Sequence, residues 1–375
     1  MDCALGMSEL DYARLTSVLM DPPLVKYPVV LPDFFVDHFV VYETLESLID
    51  ELKRLAEQGG GNLLNNKQFI RKGGNAVNTA SALLSLGLSP RLIATTDSYG
   101  ATLLKALADP SLDLSHVHTD GRLSSTVSIE TKYKNRNVNL MVSDSGSASE
   151  FAFSNLTNED LDVIKGCGLI ALVNLNHNLK GADLAHDLFQ MIKNTSDALT
   201  FMDLGDPSGN PQIIAQHVER VIKKDLLDIL SVNENEIGWI AQTLTGDHER
   251  WKNMPAKTEL WLKGARLIAE ETGVRVDFHA PHYSATISGD EAFAVPTFVV
   301  ESHVVCGAGD AWNAGDIYGT LLNLPHQDRL TLANAVAALY VSSISATHPN
   351  IADIVRFLDT NPLLSGDGTK LLKVQ

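Results

Sequence analysis

Four consecutive residues in the carboxyl-terminal part of the chain, Gly307, Ala308, Gly309 and Asp310, have the types and order needed to handle an anion. Small residues at the start of a helix leave backbone N–H groups bare, and the helix dipole adds positive potential there. An apolar, strand-like run ending at Val305 precedes them, so we expect a strand-to-helix turn. The pattern predicts a phosphoryl-binding turn with Asp310 as general base, or a plain glycine turn whose acid complements the helix dipole.

A second glycine turn lies earlier in the chain, at Gly73 and Gly74, directly before an alanine-rich helical segment. Asn75 and Asn78 fall in the first turn of that helix. An asparagine amide both donates and accepts hydrogen bonds, which suits the hydroxyl groups of a sugar. The alternative is a structural turn in which Asn75 is the N-cap.

Asn233 and Glu236 are three residues apart at the start of another predicted helix, so they share one face. An amide and a carboxylate at that spacing suit a hydrated Mg²⁺ ion, which keeps most of its water ligands. The same spacing is typical of a capping box, in which the two side chains serve only the helix end.

An acid and a group of basic residues complete the candidates. Asp37 falls near the carboxyl end of the first predicted strand, where ligands of open α/β sheets bind, or it is merely exposed there. Lys132, Lys134 and Arg136 alternate along a predicted strand, which would place all three on one face. They predict contacts to a phosphate on the substrate, or else a solvated surface. The possible phosphate ligands also include Arg71, Lys72 and Arg122.

The elements that must position these residues alternate along the chain. Strand-like runs alternate with helical segments, which predicts βαβ crossovers and a mainly parallel sheet. The predicted strands are 27–43, 91–97, 168–176, 198–205, 227–233 and 273–280. The predicted helices are 43–58, 75–87, 98–109, 182–193, 211–224, 234–244, 257–272, 310–322 and 328–345.

The alternation breaks at about 38–72 and 121–146. The second segment includes 125–143, whose alternating β-formers predict a hairpin with one wet face. We expect both segments to form a small β lid over the edge of the sheet, with the helix at 43–58 as an addition to it. The whole chain, 1–375, is then expected to be one catalytic domain.

The composition excludes several classes of protein. The 375 residues carry a formal net charge of −17, which argues against nucleic acid or an anionic membrane as a partner. Three cysteines, at positions 3, 167 and 306, are an odd number without metal-like spacing and predict no disulfide framework. No apolar run reaches transmembrane length, and the amino terminus does not resemble a signal peptide. We therefore expect a cytoplasmic protein.

Taken in order, these motifs resemble the ribokinase-like, or PfkB, family of carbohydrate and nucleoside kinases. The stretch "GGNAVNTASALLSLG" is similar to that family's amino-terminal signature, and "CGAGDAWNAGD" looks like its carboxyl-terminal one. The resemblance covers roughly 27–359. It implies a three-layer αβα domain with a mainly parallel sheet and a small β lid.

The resemblance also implies a role for each candidate residue. Asp310 would be the catalytic base, with Gly307, Ala308 and Gly309 as the anion hole. Asn233 and Glu236 would hold Mg²⁺ through water. ATP or ADP would be the phosphoryl donor, contacted by Asn233, Gly307 and Gly309. Substrate hydroxyls would be held by Asp37, Gly73, Gly74, Asn75 and Asn78.

Besides the added helix at 43–58, the sequence departs from the family at a site tied to monovalent cations and at a turn that lines the nucleotide. Val304 and Val305 stand where the family has Asp-Thr, so we expect activity to be indifferent to K⁺. Pro281 and Ser284 replace the glycines of a turn that lines the nucleotide. His279 and His282 in that segment are candidates to touch it, or are histidines without a role.

The expected function is Mg²⁺-dependent phosphoryl transfer to a sugar or sugar phosphate, and the basic residues favour a pentose phosphate such as ribose 1-phosphate. A nucleoside or inositol kinase of the same fold is the alternative. A nicotinamide-dependent oxidoreductase is disfavoured, because no Gly-x-Gly-x-x-Gly turn follows the first strand. A non-catalytic regulator on a kinase fold would have lost the base, and Asp310 is present. A homodimer through the lid is a further expectation.

Overall fold

The computed structural model describes residues 11–134 and 136–363, so Cys3 lies outside the described residues. Strands are numbered here in chain order. They are β1 (Pro28–Leu31), β2 (Phe35–Val41), β3 (Gln68–Gly73), β4 (Arg91–Leu92), β5 (Ala94–Thr95), β6 (Val117–His118), β7 (Ser125–Tyr133), β8 (Arg136–Asp144), β9 (Leu169–Val173), β10 (Leu199–Asp203), β11 (Ile229–Val232), β12 (Arg275–His279), β13 (Tyr283–Ser288) and β14 (Glu291–Pro296).

The helices are numbered in the same way. They are α1 (Ala13–Met20), α2 (Leu45–Glu57), α3 (Asn75–Ser85), α4 (Ser98–Leu107), α5 (Asn158–Gly166), α6 (Gly181–Thr195), α7 (Gln212–Arg220), α8 (Glu234–Thr245), α9 (His248–Trp251), α10 (Thr258–Thr272), α11 (Ala308–Leu321), α12 (His326–Ser342) and α13 (Ile351–Thr360). In the part of the chain that the structure describes, no helix is long and apolar enough to cross a membrane.

The central sheet has eight strands in the order β14-β13-β12-β11-β10-β9-β1-β4. The six strands from β12 to β4 run parallel, and β13 and β14 add an antiparallel hairpin at one edge. Helices cover both faces of this sheet, and the expected three-layer αβα architecture is confirmed. The carboxyl ends of the parallel strands all meet at one edge, where open α/β sheets bind their ligands.

Two separate hydrophobic cores lie on the two faces of the central sheet. Val30 of β1 belongs to one core, while its neighbours Val29 and Leu31 belong to the other. This division follows from the alternation of side chains along a strand, and it explains why β1 and β9 are apolar at every position. Helices α3, α11 and α12 pack into the first core, and α6, α8 and α10 pack into the second.

A second sheet, which we call the lid sheet, has four strands in the order β3-β2-β7-β8. Strands β7 and β8 form the hairpin that the alternating pattern predicts. Helix α2, expected between the first strand and the glycine pair, contacts this sheet through β7. Because β2 follows β1 after three residues, and β3 leads straight into α3, the lid sheet is tied to the core beside the glycine pair.

Three expectations about strands are wrong. The segment 27–43 is two strands in two sheets, because the chain breaks at Pro32 to Phe34 and proline cannot donate to a sheet ladder. The segment 91–97 also divides, into β4 and β5 of different sheets. The apolar run directly before the glycine turn is not a strand, because residues 297–307 form no helix or strand.

Candidate active site

Polar side chains stand at the carboxyl ends of five neighbouring strands of the central sheet. Asp33 follows β1, Asn174 follows β9, Asp203 ends β10, Asn233 follows β11 and His279 ends β12. These ends share one edge of the sheet because the strands are parallel. The side chains of Asp203 and Asn313 connect this edge to α11, since Asn313 Nδ2 donates to Asp203 Oδ2 over 2.6 Å.

The glycine turn before α11 has a conformation that few residues other than glycine adopt. Gly307 is the N-cap of the helix, with φ of +87°. A Cβ atom added there would lie 2.5 Å from the hydroxyl oxygen of Tyr340, which donates to the carbonyl of Cys306 over 2.9 Å. At Gly309 an added Cβ would meet only the ring of His279, at 3.5 Å. The N–H of Ala308 is used within the turn, where it donates to the carbonyl oxygen of Val305 over 3.1 Å. The N–H groups of Gly309 and Asp310 have no partner among the described residues and are the bare ones at this helix start.

Asp310 lies in the first turn of α11 and is buried. Its Oδ2 atom accepts a hydrogen bond from Asn78 Nδ2 over 3.0 Å. Burial raises the pKa of Asp310 to about 8, against the opposing effect of the Asn78 hydrogen bond, and the negative charge of Asp203 raises it further. A carboxylate with a pKa in this range is a stronger proton acceptor than an ordinary aspartate.

The turn at Gly73 and Gly74 is held by an acid that the sequence analysis did not single out. Asp33 accepts hydrogen bonds from the backbone N–H groups of Ala76 and Asn75, over 2.7 and 3.1 Å. Gly74, with φ of +91°, is the N-cap of α3, so the alternative in which Asn75 caps the helix is wrong. The capping carboxylate comes from the end of β1, which leaves Asn78 free to reach Asp310.

Asp37 does not lie at the carboxyl end of the first strand, as expected, but within β2 of the lid sheet. Its carboxylate packs against Gly73, where a Cβ atom would lie 2.1 Å from Asp37 Oδ2. Burial raises the pKa of Asp37 to about 6, and the nearby charge of Asp33 adds to the effect. The absence of a side chain at Gly73 is therefore what allows the Asp37 carboxylate of the lid sheet to lie against the start of α3.

Asn233 and Glu236 form the capping box that was the alternative for this pair. Glu236 Oε2 accepts from the backbone N–H of Asn233 over 3.0 Å, and Asn233 Oδ1 accepts from the backbone N–H of Glu236 over 3.0 Å. Within the described residues, no group of three or more His, Cys, Asp or Glu side chains is arranged to hold a metal ion directly.

The same pair nevertheless fits a hydrated cation. The pKa of Glu236 is raised well above its usual value by burial and then by the charges of Asp203, Asp206 and Glu234. No lysine or arginine among the described residues forms an ion pair with Glu236. A cation held through water would relieve this concentration of negative charge.

Comparison with known proteins places the chain in a family. The profile of the pfkB family carbohydrate kinases matches residues 43–353, which is most of the chain. The chain belongs to that family. It is therefore a kinase, and the expected family and enzyme class are confirmed. No curated protein matches it in sequence.

Solved structures of the family have the same fold as this pfkB-family chain. Ribokinase of Arabidopsis thaliana, solved with ribose and ATP, is 18% identical, with a TM-score of 0.65 over 94% of this chain and 100% of that chain. Adenosine kinase of Sinorhizobium meliloti is 17% identical, with a TM-score of 0.63 over 86% and 95%. Fructokinase of Xylella fastidiosa, solved with ATP, is 15% identical, with a TM-score of 0.65 over 90% and 99%.

The expected basic cluster of this kinase does not share one strand face. Lys132 is at the end of β7, Lys134 is in the turn with φ of +48°, and Arg136 begins β8. The hairpin turn interrupts the alternation on which the expectation rested, and all three side chains are exposed. Arg122 lies elsewhere, where its backbone N–H donates to Ser147 Oγ over 2.7 Å.

Arg71 and Lys72 are nearer to the base, on opposite faces of β3. Arg71 pairs in register with Asp37 and lies over the stacked rings of Phe39 and Phe69, 5.5 and 4.8 Å from their centroids. Lys72 instead reaches α3, where its Nζ atom is 3.4 Å from Asn78 Oδ1. The two cations therefore serve different parts of the site.

Sequence reasoning missed a buried ion network that ties α11 to the sheet. Arg329 of α12 forms ion pairs with Asp316 of α11 and with Asp277 of β12, and all three side chains are buried. Arg275 also binds Asp277, over 2.8 Å. The signal available in the sequence was Asp316, a charged residue inside an otherwise small and apolar helical segment.

His279 was weighed only as a possible nucleotide contact. Its ring stacks on Trp312 of α11, with centroids 4.8 Å apart, and its buried Nε2 atom has no hydrogen-bond partner. Burial lowers the pKa of His279, so the ring is neutral at physiological pH. It stands beside Gly309, at the edge of the open space before α11.

Proposed function

We propose that this chain is one catalytic domain that transfers the terminal phosphoryl group of ATP or ADP to a hydroxyl of a sugar or sugar phosphate, with Mg²⁺ as cofactor. The observation that carries the proposal is Asp310, a buried carboxyl with raised pKa beside the bare N–H groups of a helix N-terminus. A base and an anion site at one point are what phosphoryl transfer requires.

The reaction joins these two parts. Asp310 accepts the proton of the attacking hydroxyl, whose oxygen forms the new bond to phosphorus. The bond from phosphorus to the bridging oxygen of the nucleotide breaks, and its electron pair leaves with the shortened nucleotide. Of the three anion-hole residues, Gly307 and Gly309 offer N–H groups that would stabilise the charge on the transferred group, whereas the N–H of Ala308 donates to the Val305 carbonyl over 3.1 Å.

Acceptor hydroxyls are assigned to polar groups of the lid sheet and of the turn that begins α3. Asp37 of β2 and the turn at Gly73 and Gly74 lie together, and Asn75 follows in the first turn of α3. Asn78 is held to Asp310, so a hydroxyl bound by this group lies within reach of the base. Carboxylate and amide groups suit the alternating hydroxyls of a sugar.

Asn233 and Glu236 are the residues assigned to Mg²⁺, through its water ligands. Bound there, the ion would neutralise charge on the phosphates of the nucleotide. The excess of acidic groups around Glu236 supports this assignment, since it favours any hydrated divalent cation.

A phosphorylated acceptor, such as a pentose phosphate of the ribose 1-phosphate type, is favoured by Arg71. Its guanidinium shares a face of the lid sheet with Asp37 and forms no ion pair within the described residues. An unpaired arginine beside the acceptor site is unexpected in a chain of net charge −17 unless a ligand supplies the anion. Lys132, Lys134, Arg136 and Arg122 are weaker candidates, because they lie away from the base.

A nucleoside is the second candidate acceptor. Phe39 and Phe69 stack on this lid face with their rings 4.8 Å apart and nearly parallel. Aromatic faces of this kind bind the flat base of a nucleoside. Since Arg71 covers both rings, this reading requires the guanidinium to move aside.

Dimerisation through the lid sheet is a further part of the proposal. Its other face exposes Ile70, Val127, Leu140 and Val142, each at least 39% exposed. An apolar sheet face of this kind is favourable to cover with a second copy. Light scattering of the chain and of Val127→Lys would distinguish a dimer from a monomer.

One screen tests the proposed function. The purified chain is incubated with Mg²⁺, with ATP or ADP, and with free sugars, sugar phosphates, nucleosides and inositols, and formation of the shortened nucleotide is followed. We expect turnover with a phosphorylated pentose above all others, and Arg71→Met should raise KM for it about tenfold or more. Binding of acceptors without any turnover would instead favour a non-catalytic regulator.

A further inference from the structure

Lys72 is the first member of a row of three side chains that ends at Asp310. Its Nζ atom lies 3.4 Å from Asn78 Oδ1, and Asn78 Nδ2 donates to Asp310 Oδ2 over 3.0 Å. The three residues belong to β3, α3 and α11, so the row crosses from the lid sheet to the core. No part of the proposed reaction given above uses Lys72.

The contact with Lys72 determines how the Asn78 amide is oriented. An amide has an acceptor end and a donor end, and an ammonium group only donates. With Lys72 at Oδ1, the NH₂ group must face Asp310. A reversed amide would place two oxygen atoms against each other, one of them on a carboxylate.

The charge of Lys72 also acts directly on the base. Burial lowers the pKa of Lys72 to about 8, while the charge of Asp310 raises it. Around Asp310, the carboxylates of Asp203 and Asp33 oppose its ionisation, and Lys72 favours it. His348, which stacks on Tyr340, stays neutral, because burial and then the charge of Lys72 lower its pKa to about 3.

We infer that Lys72 is a positioning residue for the base. Through Asn78 it directs the hydrogen bond to Asp310 Oδ2 and leaves Oδ1 for the acceptor hydroxyl, and its charge favours the ionised form of the carboxylate. This inference rests on the proposed kinase function, in which Asp310 takes the proton. It concerns how the base is prepared, and it does not depend on which acceptor is used.

The kinetic test compares Lys72→Met with Lys72→Arg over a range of pH, using the best acceptor of the screen. Loss of the positive charge should shift the rising limb of the pH profile of kcat/KM to higher pH by about one unit. At pH values below that limb, kcat/KM should therefore fall roughly tenfold. Lys72→Arg should restore the limb, because it keeps the charge. Lys263→Met removes the same charge from the exposed side of α10 and serves as the matched control.

A second readout needs no turnover. The side-chain amide resonance of Asn78, identified by its loss in Asn78→Asp, reports ionisation of Asp310 as the pH is changed. Its midpoint should rise in Lys72→Met, and in Lys72→Gln if the methionine variant does not fold, but stay unchanged in Lys263→Met. An unmoved midpoint overturns the inference.

The two tests separate failure of the inference from failure of the function. If the unaltered chain phosphorylates nothing in the screen, the proposed function fails, and the amide titration still decides the role of Lys72. If Lys72→Met raises KM for phosphorylated acceptors alone and leaves the pH profile unchanged, Lys72 is a phosphate ligand and the inference is wrong.

Discussion

Asn78 donates a hydrogen bond to Asp310 across 232 positions of sequence, with a distance of 3.0 Å between Nδ2 and Oδ2. This bond joins the glycine-pair turn of α3 to the glycine turn of α11. The two turns that we propose for the acceptor and for the transferred phosphoryl group therefore lie side by side, linked through Asn78 and Asp310.

Replacing Asp310 with Asn should stabilise the protein at alkaline pH. The folded state raises the pKa of Asp310 to about 8 from an ordinary value of 3.8, so the folded state binds the proton more tightly than the unfolded state. The free energy of unfolding therefore falls as the pH rises from about 4 towards 8. Tm of Asp310→Asn should exceed that of the parent by several degrees at pH 8.5, and by much less at pH 5. Equal differences at the two pH values would contradict the burial of an ionisable group here.

Gly307 and Gly309 offer a matched pair of substitutions. Gly307→Ala forces a Cβ into a left-handed turn and to within 2.5 Å of the Tyr340 hydroxyl, so it should lower both Tm and activity. Gly309→Ala meets no close contact and should keep Tm, since alanine favours helix. Its methyl group enters the space before α11, so kcat should still fall. Full activity of Gly309→Ala would place the phosphoryl site elsewhere.

Glu236→Gln should raise the Mg²⁺ concentration needed for half-maximal activity. The glutamine keeps an oxygen that can accept from the Asn233 N–H, so much of the cap survives. It removes a negative charge from a group already crowded by Asp203, Asp206 and Glu234. A Mg²⁺ titration of activity and a thermal melt should be measured together. A lowered Tm with an unchanged Mg²⁺ requirement would assign the pair to capping alone.

Arg329→Met should destabilise the protein by about 3–5 kcal/mol, because it leaves Asp277 and Asp316 buried without their cation. Burial raises the pKa of Asp316, whereas at Asp277 the charges of Arg275 and Arg329 outweigh burial and lower the pKa. Urea unfolding measures the change. The control is the double variant Arg329→Met/Asp316→Asn. It also removes the buried negative charge of Asp316, so it should recover part of the lost free energy of unfolding. No recovery would show that packing, and not charge, makes Arg329 necessary.

The alternation of strands and helices was enough to predict the parallel part of the central sheet, but not its edge hairpin of β13 and β14. Strand β9 is apolar throughout, and β9 to β12 are separated by helices, which is the pattern of a sheet covered on both faces. Local rules failed where tertiary contacts decide the outcome. The run 27–43 is rich in apolar β-formers on both sides of Pro32, and its two halves pair in different sheets, which only tertiary contacts decide.

Residue types at the two glycine turns singled out segments that meet around Asp310, but did not predict which side chains touch there. Asp33 could not be found, because it caps α3 from more than 40 residues away. The contact of Lys72 with Asn78 depends on which face of β3 the lysine occupies. The β-forming residues of 125–143 give no local sign of where the hairpin turns. The turn at Lys134 was therefore not predicted, and the basic cluster was placed on one strand face.

The most direct test of the account is the turnover number of Asp310→Asn with the best acceptor and nucleotide of the screen. An amide has nearly the same shape as the carboxylate and cannot take the proton, so acceptor affinity should be nearly unchanged. We expect kcat to fall by roughly 10²–10⁴-fold, the usual effect of removing a general base. A kcat within a few-fold of the parent value, with the fold intact, would contradict the assignment of Asp310 as the base of a phosphotransferase.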